Sequence, residues 1–361
     1  MPNGTRPGGP TGRSRGLRRR GARLLAATGL VLIGLASPAA ADPAGPTHYD
    51  SGLSSVEPAD APIDVQILGG DAFLVLSVPA GVEAQVPGYE GEPYIRFEAD
   101  GTVLVNERSP ARWLNDARYG ELDMNLPTIA DADAEPVFNE VATGGTYAWH
   151  DHRIHFMSPS LPPQVDPSAG TPQPVMDWSV PVQVDGQAVE VTGQLVWLPG
   201  PSALVTTLLV VLAVGLAAVV VVRRPGAAPV LTVVGVVVAA GIGLTKVVGL
   251  PPGSDLEPML VGLPGIAVAL LLLGYALSRR SAGGDARAAV ITAAAGIPLL
   301  VWSVLQIGAL SRPIVPGPLP VGAVRVAVAL TGAAGLAALG AVVRQVLSAT
   351  SLDEPEPRSV G

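Results

Sequence analysis

The stretch ALVTTLLVVLAVGLAAVVVV, Ala203–Val222, decides the fold of the C-terminal half, because it carries no charged side chain over twenty positions. As a helix it would extend about 30 Å, the thickness of the hydrocarbon core of a bilayer. Four similar stretches follow, separated by short polar or Pro-Gly connectors: Val230–Leu250, Met259–Leu277, Ala288–Leu310 and Val321–Val343. Residues 201–345 are therefore predicted to form an all-α five-helix transmembrane bundle in the lipid bilayer, and residues 346–361 a tail.

The composition of the whole chain agrees with a membrane protein. Of the 361 residues, 48% are hydrophobic and only 14% are charged, whereas soluble globular proteins carry about 25% charged residues. The net charge of −8 is unevenly distributed: residues 1–41 carry +7, residues 42–200 carry −19 and residues 201–361 carry +4. The acidic middle region would repel phosphates, so we expect no nucleic-acid partner.

The first 41 residues have the three parts of a secretory signal peptide. A basic segment, Arg13–Arg23, precedes the apolar run Leu24–Ala36, and the small residues Ala39–Ala41 follow. Cleavage after this segment would leave Asp42 as the N-terminus, and an uncleaved N-terminal anchor is the alternative. The chain has no cysteine, which excludes disulfide bonds, thiolate nucleophiles and iron–sulfur clusters.

Basic residues set the predicted orientation in the membrane. If residues 42–200 are exported, the first span enters the cytoplasm at Arg223 and Arg224, and the connector after the third span carries three more Arg. Lys and Arg gather on the cytoplasmic side of membrane proteins. We therefore predict a multi-pass protein of the plasma membrane, with an extracytoplasmic N-terminal domain and a cytoplasmic C-terminus.

Residues 42–200 are predicted to form one extracytoplasmic β domain. Eight short apolar or alternating runs, bounded by Gly, Pro or Asp, indicate strands, and no long helical pattern interrupts them. This pattern is typical of an all-β immunoglobulin-like sandwich. Asp185–Gly186, between two alternating runs, predicts a two-residue hairpin. Residues 42–55 are expected to form a loose leader before the first strand.

Three of the four histidines fall within six residues, in the segment WHDHRIHFM at Trp149–Met157. Imidazole binds copper in either oxidation state, and a thioether suits Cu(I). The candidate copper ligands are therefore His150, His152, His155 and Met157. More remote candidates are His48, Met124 and Met176.

The strand that carries this segment cannot gather the three imidazoles if it is straight. Period two would place His150 and His152 on one face and His155 on the other, so a turn or bulge near Asp151 is required. Convergence within about 4–5 Å would favour a metal site. Dispersal would favour the alternative, a structural polar network that includes an Asp151–Arg153 ion pair. No Ser lies in a nucleophile motif, so we predict no enzymatic activity.

Two charges and one small-residue stripe stand out in the predicted spans. Lys246 and Arg325 lie near the outer ends of the second and fifth spans. Either they snorkel to the headgroups, or they line a path for anions and pair with the acids of the connector after the second span. Ala333, Ala337 and Ala341 form a stripe suited to close helix packing.

Three segments carry a resemblance to a family. GYEGEPYIRFEADGTVLVNERSPARWLN (88–115), TYAWHDHRIHFMS (146–158) and MDWSVPVQVDG (176–186) resemble uncharacterised actinobacterial membrane proteins that have a signal peptide, an exported β domain and a helical membrane part. Gly145-Thr146-Tyr147 followed by histidines is also similar to periplasmic copper-carrier β-sandwiches. This chain differs from those carriers because Asp42, rather than His, would be the mature N-terminus.

Three functions are expected in order. The first is a non-enzymatic binding or assembly protein at the cell surface, with a protein partner there. The second is copper binding or handling through the histidine cluster, and the third is solute transport by the helical bundle.

Overall fold

The computed structural model describes residues 45–116, 126–249, 258–278 and 284–351. Several predicted features lie outside these ranges: the signal peptide at 1–41, the candidate ligand Met124, the connector acids Asp255 and Glu257, and residues 352–361 of the tail.

In the described residues before position 200, ten strands form two antiparallel sheets. The strands are β1 Tyr49–Glu57, β2 Asp64–Leu68, β3 Phe73–Ser77, β4 Ala84–Pro87, β5 Pro93–Phe97, β6 Val103–Asn106, β7 Phe138–Ala142, β8 Thr146–Trp149, β9 Gln173–Val184 and β10 Gln187–Trp197. The larger sheet has the order β1-β10-β9-β4-β5-β6-β7 and the smaller one β2-β3-β8. A short helix, α1 at Pro110–Leu114, lies between β6 and β7.

The two sheets share one hydrophobic core. Leu74 and Leu76 of β3 are buried in the same cluster as Val86, Ile95 and Phe97 of the larger sheet. Alternate residues of β9 and β10 are buried, which is the period of two expected when one face of a strand packs against a core. The prediction of an antiparallel β domain is confirmed.

The hairpin between β9 and β10 forms as predicted. Val184 and Gln187 are directly paired, so Asp185 and Gly186 make the whole loop. Their φ angles are +47° and +76°, the left-handed values that a two-residue type I′ turn requires. Gly186 adopts such a φ without cost and Asp tolerates it better than most residues.

The prediction of a loose leader at 42–55 is wrong from Tyr49 onward. These residues belong to β1, which pairs with β10 along its whole length, from Tyr49 opposite Trp197 to Glu57 opposite Glu190. The strand has few apolar side chains, and most of them are only partly buried. Backbone hydrogen bonds to a strand more than 130 residues later therefore form β1, and no local pattern reports them.

The C-terminal half is helical. Its helices are α2 Ala203–Arg223, α3 Ala228–Gly249, α4 Pro258–Ser278, α5 Gly284–Leu305, α6 Gly308–Ser311 and α7 Val321–Ser351. Among the described residues, four of them are long and apolar enough to cross a membrane, namely α2, α3, α4 and α7.

The predicted span Ala288–Leu310 is wrong at its C-terminal end. Helix α5 ends at Leu305, and Gly308–Ser311 form the separate helix α6. The apolar stretch of α5, Val290–Leu305, is shorter than those of the four long helices. Polar residues explain this difference, because GDAR occupies the first turn of α5 and Gln306 follows its last turn.

Helix α7 packs against α2, α3 and α5. It does so through small side chains, of which Ala333 and Ala337 are fully buried. At Gly335 the backbone lies so close to α5 that an added Cβ would be 2.8 Å from the carbonyl oxygen of Gly296. The small-residue stripe therefore serves helix packing, as predicted.

The connector between α5 and α7 contacts the β domain. Thr47 and Ile314 exchange backbone N–H···O hydrogen bonds of 3.0 and 3.2 Å. The turn at Gly69–Gly70 lies against the same connector, because a Cβ added at Gly70 would be 3.1 Å from Cγ2 of Ile314. The β domain therefore rests on this connector at the turn that leads into β3.

Candidate metal centre

A sharp turn at the end of β8 brings the three histidines together. The strand ends at Trp149, and the side chain of Asp151 accepts a hydrogen bond from the backbone N–H of Arg153. This capping bond begins a single 3-10 turn at His152–Ile154, after which His155 is again extended. The turn breaks the alternation of the strand, so the requirement for a turn near Asp151 is confirmed.

The three imidazoles lie within metal-sharing distance. Ring centroids are 4.3 Å apart for His150 and His155, 5.5 Å for His152 and His155, and 5.9 Å for His150 and His152. One nitrogen from each ring can be chosen so that all three lie within 4.8 Å of one another. In the described ranges, this is the one group of three or more His, Cys, Asp or Glu side chains with such spacing.

The geometry requires a modest adjustment to hold an ion. Around a tetrahedral ion with metal–nitrogen distances of 2.0–2.1 Å, neighbouring nitrogens lie about 3.3 Å apart. The nitrogens would therefore close by at most about 1.5 Å, which rotation of partly exposed side chains can supply. His150 and His152 are partly exposed, whereas His155 is fully buried. The cluster thus has one fixed, desolvated ring and two rings nearer the surface.

A backbone carbonyl orients His150. Its Nδ1 lies 2.7 Å from the carbonyl oxygen of Ala72. Because a carbonyl oxygen only accepts, Nδ1 carries the proton, and Nε2 of the neutral ring offers its lone pair to the cluster. Histidines that bind metals typically donate their other ring N–H in this way. Ala72 directly follows the turn that rests on the α5–α7 connector.

Tyr89 orients His152. The backbone N–H of His152 donates to the Tyr89 hydroxyl at 2.9 Å, and the two rings stack with centroids 5.9 Å apart. The hydroxyl in turn donates to Oδ1 of Asn115. Burial raises the pKa of Tyr89, and the nearby charge of Asp151 raises it further. The hydroxyl therefore stays protonated and keeps its role as donor.

Asp151 supports the turn instead of contributing to the histidine cluster. Its carboxylate accepts from Nε and Nη2 of Arg153 at 2.8 and 2.7 Å, and from Nε1 of Trp149 at 2.8 Å. Burial by itself would raise the pKa of this carboxyl, but the hydrogen bonds and charge of Arg153 outweigh it, so the pKa lies below its usual value. The predicted ion pair is confirmed, and it frames the cluster.

The remaining candidate ligands are placed as follows. His48 is stacked on Trp197 with centroids 5.3 Å apart, and its Nδ1 donates to the carbonyl of Leu198 at 2.9 Å, outside the group of three histidines. Met176 is partly buried against the core of the β domain. Met157 is partly exposed, two residues after His155, and its role as a ligand stays a prediction.

The two charges of the helical bundle both have protein partners. Lys246 is buried, and its Nζ donates to Oε1 of Gln306 at 2.9 Å, so the snorkelling interpretation does not hold for this residue. Arg325 donates to the carbonyl oxygens of Ala309 and Arg312 at 3.1 and 2.8 Å. Both side chains fasten the α5–α7 connector to the long helices.

Sequence reasoning missed the residues that position the histidines. Ala72 and Tyr89 precede the residues that they contact by 78 and 63 positions. Ala72 acts through its backbone, which leaves no trace in the choice of side chain. Tyr89 lies in a Gly-Pro-rich turn, where no periodic pattern marks it as part of a site.

Comparison with known proteins gives no further guide to the site. No family model, no curated protein and no solved structure matches the chain significantly. The resemblance to exported actinobacterial membrane proteins therefore stays a prediction.

Proposed function

We propose that the protein is a membrane-anchored metal-binding protein whose histidine cluster, His150, His152 and His155, takes a copper ion. The convergence of the three imidazoles carries the proposal, since their nitrogens lie within 4.8 Å of one another. Two of the rings are oriented by groups outside the cluster, namely the Ala72 carbonyl and Tyr89. Such outer contacts accompany metal-ligating imidazoles and tune their affinity.

The chemistry of the donors favours copper. Three neutral nitrogen ligands suit copper and zinc, whereas magnesium and calcium prefer oxygen. Between the two, divalent copper forms the more stable complexes in a given nitrogen site. A thioether two residues beyond His155 adds a ligand suited to Cu(I), and Met157 is our candidate for it.

The proposed cellular arrangement follows from the signal peptide and the distribution of Arg. The β domain, of immunoglobulin-like type, would lie outside the cytoplasm, with the helices in the plasma membrane and the C-terminus inside. Copper handling outside the cytoplasm needs no thiol, and the chain has none. The role is one of binding, without an enzymatic step.

Metal titration of the full chain tests the proposal. The protein, purified in detergent micelles, is titrated with Cu(II) and, under reducing anaerobic conditions, with Cu(I). We expect one ion per chain, bound more tightly than about 10 µM. The double variant His150→Ala with His155→Ala should lose this binding, and the matched control His48→Ala should retain it.

Two outcomes would overturn the proposal. One is the absence of binding tighter than about 10 µM in the intact chain, and the other is binding that the double variant leaves unchanged. Tighter binding of zinc than of copper would remove copper from the proposal but leave the metal site.

Cell-surface assembly and solute transport stay predictions. Lys246 and Arg325 were the residues that would line a transport path, and both contact the α5–α7 connector. These contacts give the two residues a structural role, so neither supplies a specific observation in favour of transport.

A further inference from the structure

A cavity of about 290 Å³ lies between α3, α5 and α7, at the end of the bundle away from the β domain. Its position follows from the chain, because α2 leaves the β domain at Ala203 and ends at Arg223, beside the last turns of α7. The walls are mainly apolar and include Ala228, Ala341 and Val342. At the rim the lining becomes polar with Arg344, Gln345 and Ser348.

The rim is positively charged. Arg344 is exposed, and its Nη1 donates to the carbonyl oxygens of Val221 and Val222 at 2.5 and 2.6 Å. Two of the five N–H donors of the guanidinium can make these bonds, and the planar fork also suits a phosphate. The exposed Arg223 and Arg224 end α2 next to these carbonyls. The first turns of α5 add Asp285 and Arg287, whose charges cancel.

The rim lies at headgroup depth. Arg344 is 23 residues after Val321, the first residue of α7, which corresponds to about 35 Å along the helix. The hydrocarbon core of a bilayer is about 30 Å thick. A cavity with apolar walls that opens at this depth faces acyl chains on one side and phosphate groups at its mouth. Water would gain few hydrogen bonds there.

We infer that this cavity binds an anionic phospholipid, with part of an acyl chain between α3, α5 and α7 and the phosphate at Arg344. The inference depends on membrane insertion and is independent of the metal site. Each Arg near an anionic headgroup contributes about 1 kcal/mol, or about a fivefold gain in affinity. Arginine also binds phosphate oxygens in a bidentate manner, which gives selectivity for the headgroup over neutral lipids.

Native mass spectrometry of the full chain tests the inference. The protein is released from nanodiscs of equal parts phosphatidylglycerol and phosphatidylcholine, and the retained lipids are counted. We expect retained phosphatidylglycerol in excess. Arg344→Gln should reduce that excess about fivefold, and Arg344→Lys should reduce it less. The matched control Arg312→Gln removes an exposed Arg from the α5–α7 connector, at the other end of the bundle, and should leave the excess unchanged.

A second variant separates the cavity from the charge. Val342→Trp keeps every Arg but fills the space, so it should abolish retention of both lipids while the protein stays folded by thermal melting. Equal retention of the two lipids in the intact chain would overturn the inference. So would an equal loss in Arg312→Gln, retention unaffected by Val342→Trp, or complete displacement of the lipid by millimolar inorganic phosphate.

Discussion

Replacing Tyr89 by Phe removes a single hydroxyl beside the histidine cluster and keeps the aromatic ring. That hydroxyl accepts the backbone N–H of His152 at 2.9 Å and donates to Asn115. The ring can still stack on His152, so the change isolates the hydrogen bonds. We expect Tyr89→Phe to weaken metal binding and to lower stability.

The magnitude follows from the groups that lose their partner. The N–H of His152 loses this acceptor in a partly buried setting, and Asn115 loses a donor. An unsatisfied buried polar group costs about 1–3 kcal/mol of stability. Loss of an outer contact that orients a metal-ligating histidine typically costs 10–100-fold in metal affinity. Tyr89→Phe should therefore raise the copper Kd by one to two powers of ten.

Tyr94→Phe is the matched control. The Tyr94 hydroxyl accepts from Nδ2 of the same Asn115 at 3.1 Å and is likewise buried. The control removes the same atom from the same network, one residue farther from His152. Both variants of the full chain in micelles are compared by thermal melting without metal and by copper titration against a competing chelator.

The two measurements separate positioning from general stability. We expect both variants to melt at lower temperature and only Tyr89→Phe to lose copper affinity. An unchanged copper Kd in Tyr89→Phe, or an equal loss in Tyr94→Phe, would refute the idea that Tyr89 positions His152.

Three further predictions concern the helical half. Gly335→Ala should lower the melting temperature, because its Cβ would meet the α5 backbone at 2.8 Å, whereas Gly322→Ala on the same helix meets nothing within 4 Å and should be neutral or slightly stabilising; equal melting of the two variants would contradict the packing at this crossing. Lys246→Met should destabilise the protein by leaving Gln306 without its donor, and adding Gln306→Leu should recover part of the loss; no recovery in the double variant would mean that the pair is not coupled. A Cys introduced at Ser281 should resist labelling by an impermeant maleimide outside intact cells, and labelling there would reverse the predicted orientation.

The features that the sequence predicted correctly are local ones. The long apolar stretches around α2, α3, α4 and α7 report their own fate, because a helix satisfies its backbone within itself and only its length and polarity matter. The hairpin at Asp185–Gly186 is equally local, since two residues supply the φ angles that the turn requires. The end of α5 was misjudged because apolar residues continue past its true terminus at Leu305.

The strands that were missed depend on distant partners. β1 has few apolar residues and exists because β10 supplies its hydrogen bonds. β4 has four residues, too few to show a period, and is held between β5 and β9. In both cases the decisive contacts join segments far apart in the chain, and a single window of sequence does not contain them.

The histidine cluster divides in the same way. The sequence by itself determined which side chains are present, their composition of three imidazoles without a thiol, and the need for a turn at Asp151. Only the tertiary structure decided that the rings converge, because the groups that aim them, the Ala72 carbonyl and the Tyr89 hydroxyl, arrive from other parts of the β domain. Ligand type is a property of each residue, whereas ligand geometry is a property of the core that brings distant backbone and side-chain groups into contact.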